Sequence, residues 1–380
     1  MSSATMARAR CTALIALTSF WFPSLGAQAE DITPAEAEKR SLAIRDAAKQ
    51  EHWLKIAADG GQRDAQWVLG ERYLREKEGK GKNLAAGIEL LRRSAAQGSA
   101  RAQSLLGWAY WSGLGVKQDY AEAAKWFTAA ARQEDGYALA TLSSFYYRGS
   151  GVVQDPVRAK RLLLRSAELG DEKGLTGAWR VLLVGQPEDR DPRLGMHFLN
   201  KAASTNDANA AYMLAREYLT GRDVPRNPSL AAEWFQRAAK AKHAVASLWL
   251  SELHAKGIGV RQDVKRAEQM LQDALSSAQL KDKNLFSWTL SVAQDAQLRN
   301  STLAIRVLEP ALAAEKEKSP AYLDTLAAAY ADHGEFDKAV ATQLEALQAA
   351  RRKWSAEAAT SLEQRLELYR SGKAYREDML

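Results

Sequence analysis

The chain has 380 residues, 46% of them hydrophobic, and a formal net charge of +7. This is apolar enough for a full core, and its acidic and basic residues are interspersed, as in Glu168–Lys173 and Glu315–Lys318, so no nucleic-acid partner is expected. Cys11 is the one cysteine, which excludes a disulfide framework.

The N-terminus reads as a secretory signal: Arg8 and Arg10, an apolar run from Cys11 to Phe22, then Ala27-Gln28-Ala29, with cleavage expected after Ala29. The run is shorter than the roughly 20 residues of a spanning helix, so no membrane span is expected in the mature chain. A periplasmic or secreted location follows as an expectation. The mature chain would hold no cysteine and carry +5, because Arg8 and Arg10 are the only charges before Glu30. That also removes a cysteine nucleophile and thiolate metal sites.

Residues 30–63 read as N-terminal capping helices, with Ala35 to Ala58 forming one long helix or two short ones. Residues 64–281 carry a repeat with a period of 36. From Asp119 the period reaches Asp155, Asp191, Asn227 and Asp263, with Asn83 one step back. From Gly113 it reaches Gly149, Gly185, Gly221 and Gly257. A small column runs through Gly87, Ala123, Ala159, Gly195, Ala231 and Ala267, and a large one through Leu90, Trp126, Leu162, Phe198, Trp234 and Met270. Each column has a physical reading. Asp or Asn is a helix N-cap, followed by proline at the first helical position in Pro156, Pro192 and Pro228. Glu122 stands where it completes a capping box with Asp119. The glycines end a first helix with positive φ, and Asp223, at a second glycine position, is expected to tolerate the left-handed region. Small residues let two helices approach, and large ones fill the remaining space. Six such helix pairs predict an all-α solenoid.

Repeat two spells the motif most fully: Ala102, Leu106, Gly107, Tyr110, Gly113, Gly115, Val116, Gln118, Asp119, Ala123, Trp126, Ala130 and Ala131. This pattern resembles the Sel-one-like repeat, a branch of the tetratricopeptide superfamily. The resemblance implies a right-handed superhelical solenoid of stacked antiparallel helix pairs, used mainly as a scaffold. It also raises a β-lactamase-like hydrolase, proposed for cysteine-rich relatives, but this chain lacks their cysteines. Repeat four, Gly174 to Asn209, is degenerate, with Pro187 and Glu188 replacing the second glycine and the valine. In repeat one, Gly79 and Gly81 lack the spacing of a phosphate loop.

Residues 282–318 read as a helix pair without the signature, in which Pro310 is expected to kink or restart the second helix. Residues 319–380 read as one tetratricopeptide-like repeat, Pro320 to Lys353, and a capping helix from Ser355 to Tyr369. The chain then runs on as Ser371-Gly372-Lys373-Ala374-Tyr375-Arg376-Glu377.

No catalytic, cofactor or metal motif stands out. His52, His197, His243, His254 and His333 form no i,i+4 pair, and no G-x-S-x-G is present. The better candidate is geometric. First helices of such stacks line a concave face, and the stripe rotated from the core carries Trp67, Arg101, Trp108, Trp111, Tyr147, Arg180, Tyr212 and Arg216. Exposed aromatic and Arg residues are the composition of an interaction hot spot. The expected partner is another envelope protein or an extended peptide segment. The alternative is an anionic envelope polysaccharide or a polysaccharide-export role, and no enzyme activity is expected.

Overall fold

The structure, a computed structural model, describes residues 33–43, 47–75, 83–353 and 356–377. The signal segment and the Gly79–Gly81 stretch lie outside these residues. Nineteen α-helices and two short 3₁₀ turns are present among the described residues, and no strand is. The chain divides into two compact units, one through Gln118 and one from Asp119.

The first unit holds α1 (Pro34–Ala43), α2 (Ala47–Asp59), α3 (Arg63–Arg75), α4 (Leu84–Ala96) and α5 (Ala100–Ser112), each packed on the next. Leu54, Ala57, Ala58, Leu69 and Leu90 are buried together. The small column shows its use at α3 and α4. A Cβ on Gly70 would lie 3.0 Å from the Gly87 carbonyl oxygen, and one on Gly87 would lie 3.1 Å from that of Gly70.

The second unit holds α6 (Tyr120–Ala131), α7 (Gly136–Arg148), α8 (Pro156–Glu168), α9 (Glu172–Val184), α10 (Pro192–Ser204), α11 (Ala208–Thr220), α12 (Pro228–Lys240), α13 (Ala244–Lys256), α14 (Val264–Ser277), α15 (Leu280–Val292), α16 (Ser301–Ala313), α17 (Pro320–His333), α18 (Phe336–Lys353) and α19 (Ala356–Arg370). Helices α7 and α8 form one pair, and α9/α10, α11/α12, α13/α14, α15/α16 and α17/α18 follow. First helices also touch the next first helix, as in α7 with α9, α13 with α15 and α15 with α17. One apolar core runs from Ala167 to Ala329, and a second joins α17, α18 and α19. Pro310 lies inside α16, which runs through it unbroken from Ser301 to Ala313.

The caps form as their residue types require. Asp119, Asp155, Asp191, Asn227 and Asp263 each accept from a first-turn amide. Glu122 differs from expectation: its carboxylate takes Lys125 Nζ at 2.8 Å. In the other repeats the cap's own N–H is already used. Those of Asp155, Asp191, Asn227 and Asp263 donate back to the carbonyls of Tyr146, Leu182, Tyr218 and His254. In the large column Leu90 and Phe198 are buried as expected, whereas Trp126, Leu162, Trp234 and Met270 are half-buried. In two repeats the next residue, Phe127 or Phe235, is completely buried instead.

Two further columns, one of caps and one of left-handed residues, were not read from the sequence, and the motif glutamine finds its role. Ser99, Asp135, Asp171, Asp207 and His243 cap the first helices, again 36 apart. The residue before each, Gly98, Glu134, Gly170, Asn206 and Lys242, is left-handed and ends the preceding second helix. Gln118, Gln154 and Gln262 each donate to the carbonyl seven residues back, on Trp111, Tyr147 and Ala255, closing an orphaned helix end.

Candidate partner-binding face

The first helices carry the predicted stripe, and the structure divides it. In the first unit the Arg101 guanidinium lies 4.7 Å from the Trp67 ring centroid. Trp67 and Trp108 are half-buried, Arg101 is exposed, and Trp111 is 37% exposed. A guanidinium on an indole face retains its charge for a partner while the ring fixes its position.

In the second unit Tyr147, at the end of α7, is 64% exposed, and Arg180 on α9 is exposed. Beside them Lys173 Nζ sits 4.4 Å from the Tyr137 ring. Tyr212 and Arg216 depart from expectation, with 5% and 9% exposure. For Tyr212 the reason is His243, whose ring stacks on it at 4.5 Å with 16° between planes, while Phe235 meets the same tyrosine at 5.9 Å. Burial pushes the Tyr212 phenol up from its ordinary value. Tyr212 and Arg216 are therefore core residues of α11 rather than contact residues, and their Cβ spacing alone did not distinguish these roles.

His243 is itself a cap: its Nδ1 accepts from the Ala246 amide at 3.2 Å. Burial pulls its pKa down, opposed by Asp282 and Asp207. His254 is half-buried on α13 and accepts the Asp263 amide on its carbonyl.

One step of 36 from Arg216 reaches the buried Glu252 and a second reaches the half-buried Trp288 on α15; Asp324 lies on the next first helix, α17. Asp324 is buried and receives Arg365 through two 2.8 Å bonds, from Nε and Nη2. The Arg365 guanidinium lies 5.4 Å from the Trp288 ring and 5.2 Å from that of Tyr375. Among the described residues no group of three or more His, Cys, Asp or Glu side chains stands ready for a metal ion. No helix among them is long and apolar enough to cross a membrane.

Repeated helix pairs with capped turns and a polar-aromatic first-helix stripe define a helical-repeat scaffold. The Sel1 repeat model matches residues 63–99, 100–135, 137–171, 177–207, 208–243 and 244–276, more than half of the chain, and the chain belongs to the Sel1 repeat family. Repeats of this family generally mediate protein–protein interaction as non-enzymatic scaffolds.

The fold resembles that of c5321, a protective antigen of uropathogenic Escherichia coli with an SLR fold. That match has a TM-score of 0.64 and 21% identity, covering 91% of this chain and 81% of that one. A Sel1 repeat protein from Oxalobacter formigenes matches with a TM-score of 0.51 and 25% identity, over 90% of this chain and 97% of that one. No curated protein matches the chain.

Proposed function

We propose that this protein is an exported adaptor of the bacterial cell envelope that binds an extended segment of another protein on its first-helix face. The observation that carries the reading is Tyr147, a large aromatic ring 64% exposed at the end of a first helix, on the predicted stripe. A ring left in water on a well-packed scaffold contributes little to folding and much to a partner that covers it. The Trp67–Arg101 stack and the exposed Trp111 add the same chemistry in the first unit. Export is supported by Arg8, Arg10, the apolar run and Ala27-Gln28-Ala29.

A photo-crosslinking side chain at Tyr147, in the full chain expressed in cells, tests the contact. A discrete adduct is expected there and none from the same label at Val157, an exposed residue of α8. Adducts at both positions or at neither refute the face. Fractionation with and without residues 1–29 tests export, and an unchanged distribution refutes it.

A further inference from the structure

The segment that follows α19 packs on Trp288 of α15, beyond the residues of the predicted face. Gly372, at φ +68°, turns the chain after α19. Residues 373–377 then return, without helix, against α15 and α17. The Tyr375 ring meets the Trp288 ring at 6.0 Å, and Glu377 accepts from Trp288 Nε1 at 2.6 Å. The Glu377 amide donates to the Val292 carbonyl at 3.0 Å, forming a single parallel bridge with Ala293. Arg376 reaches Asp332 and the Ser291 carbonyl.

These contacts are those of a bound peptide. A ring stacks on a ring, a carboxylate takes an indole N–H, and an extended main chain pairs with carbonyls at the end of a helix. Trp288 stands nine residues after its helix cap Gln279, as Trp108 and Arg180 stand after Ser99 and Asp171, so it is the α15 counterpart of those two stripe residues. Tyr375, Arg376 and Glu377 remain half-exposed, unlike the closed core of α17 and α18 beneath them. Asp324, buried and bonded twice to the half-buried Arg365, holds that cation against both rings.

We propose that residues 373–377 are a resident pseudo-ligand. The groove of Trp288, Arg365 and Val292 is a receptor for an extended partner segment with a tyrosine two residues before a carboxylate, and that segment enters by displacing the tail. The proposal rests on the adaptor reading and specifies the ligand of a first helix, α15, beyond the predicted face.

The test uses a fluorescein-labelled peptide copying residues 372–377 and its tyrosine-to-alanine version. Fluorescence anisotropy is read on the full chain and on the full chain with Tyr375→Ala and Glu377→Gln. At least tenfold tighter binding to the double variant is expected, with loss on the alanine peptide and a further fivefold weakening by Trp288→Phe. A folded double variant that binds no better than the parent overturns the proposal, as does one that doubles in mass by exchanging tails with a second copy. If the double variant does not fold, hydrogen exchange on the unaltered chain decides. The Glu377 amide should exchange at least tenfold faster than amides inside α17, and equal protection marks the tail as a fixed brace. Crosslinking at Tyr147 depends on none of these outcomes, so the adaptor reading stands or falls separately.

Discussion

The turns of repeats three and six and the turn of repeat four solve one problem in two ways. Each must lay the end of a first helix against the second helix of the preceding repeat. In repeat three, Gly149 and Gly151 are left-handed, and a Cβ on Gly151 would lie 2.3 Å from the Tyr120 carbonyl at the start of α6. Gly259 of repeat six stands the same way, 2.2 Å from the Pro228 carbonyl oxygen. Repeat four lacks the second glycine. Gly185 is extended, Pro187–Asp189 form a 3₁₀ turn, and Lys160 of α8 spans the gap to Asp189 at 2.9 Å. Repeat five continues the substitution. Asp223, expected to be left-handed, is not. It pairs with Arg222 at 3.3 Å and Arg190 at 3.7 Å, and Arg222 also pairs with the buried Glu217. Close backbone contact is thus replaced by charged side chains that tolerate a wider gap. The regular turn is short and strain-sensitive; the degenerate turns depend on ion pairs.

This contrast can be broken at the glycines first. Gly151→Val combines a strained φ with a backbone clash and should cost roughly 2–5 kcal/mol in urea unfolding of the whole chain. A loss below about 1 kcal/mol would mean that the close approach does not hold the turn. Glu217→Ala leaves Arg222 without its buried partner, and a loss of roughly 1–3 kcal/mol is expected by the same assay. Lys160→Met removes a half-exposed pair and should cost less, about 0.5–1 kcal/mol, with the effect reduced in high salt. If Lys160→Met matched Gly151→Val, the two turns would not differ as described.

Two smaller effects sharpen the picture at the left-handed column. Lys242 holds φ at +65° without being glycine, so Lys242→Gly should raise stability by about 0.5–1 kcal/mol, read as a higher melting temperature. Next to it, the His243 pKa is lowered from 6.5 in the folded chain, so the unfolded chain takes up the proton first. Stability from this group is complete above about pH 6.5 and is lost as pH falls through the folded value, where the cap on Ala246 also fails. Melting curves across this range should show the slope, and His243→Asn, a cap that does not titrate, should flatten it.

The repeated turn and cap chemistry was legible because it is local. Asp119, Asp155 and Asp263 cap helices for reasons contained in a few neighbouring residues, and Gly113, Gly149 and Gly257 stand where the chain needs positive φ. The column Ser99–His243 was equally periodic in the sequence and could have been found by the same spacing. The site was only partly legible. Trp67 and Arg101 stack, and Tyr147 and Arg180 are exposed, yet Tyr212 and Arg216 of the same predicted stripe are buried.

Helices, caps, the 36-residue period and hence the family follow from local chemistry, because hydrogen-bonding and steric preferences act within one turn of chain. Which residues of one stripe face water follows from packing between distant segments. His243, 31 residues on at the cap of the next first helix, covers Tyr212, and a segment 87 residues away along the chain covers Trp288. Burial depends on what arrives from elsewhere, and helical spacing carries no record of it.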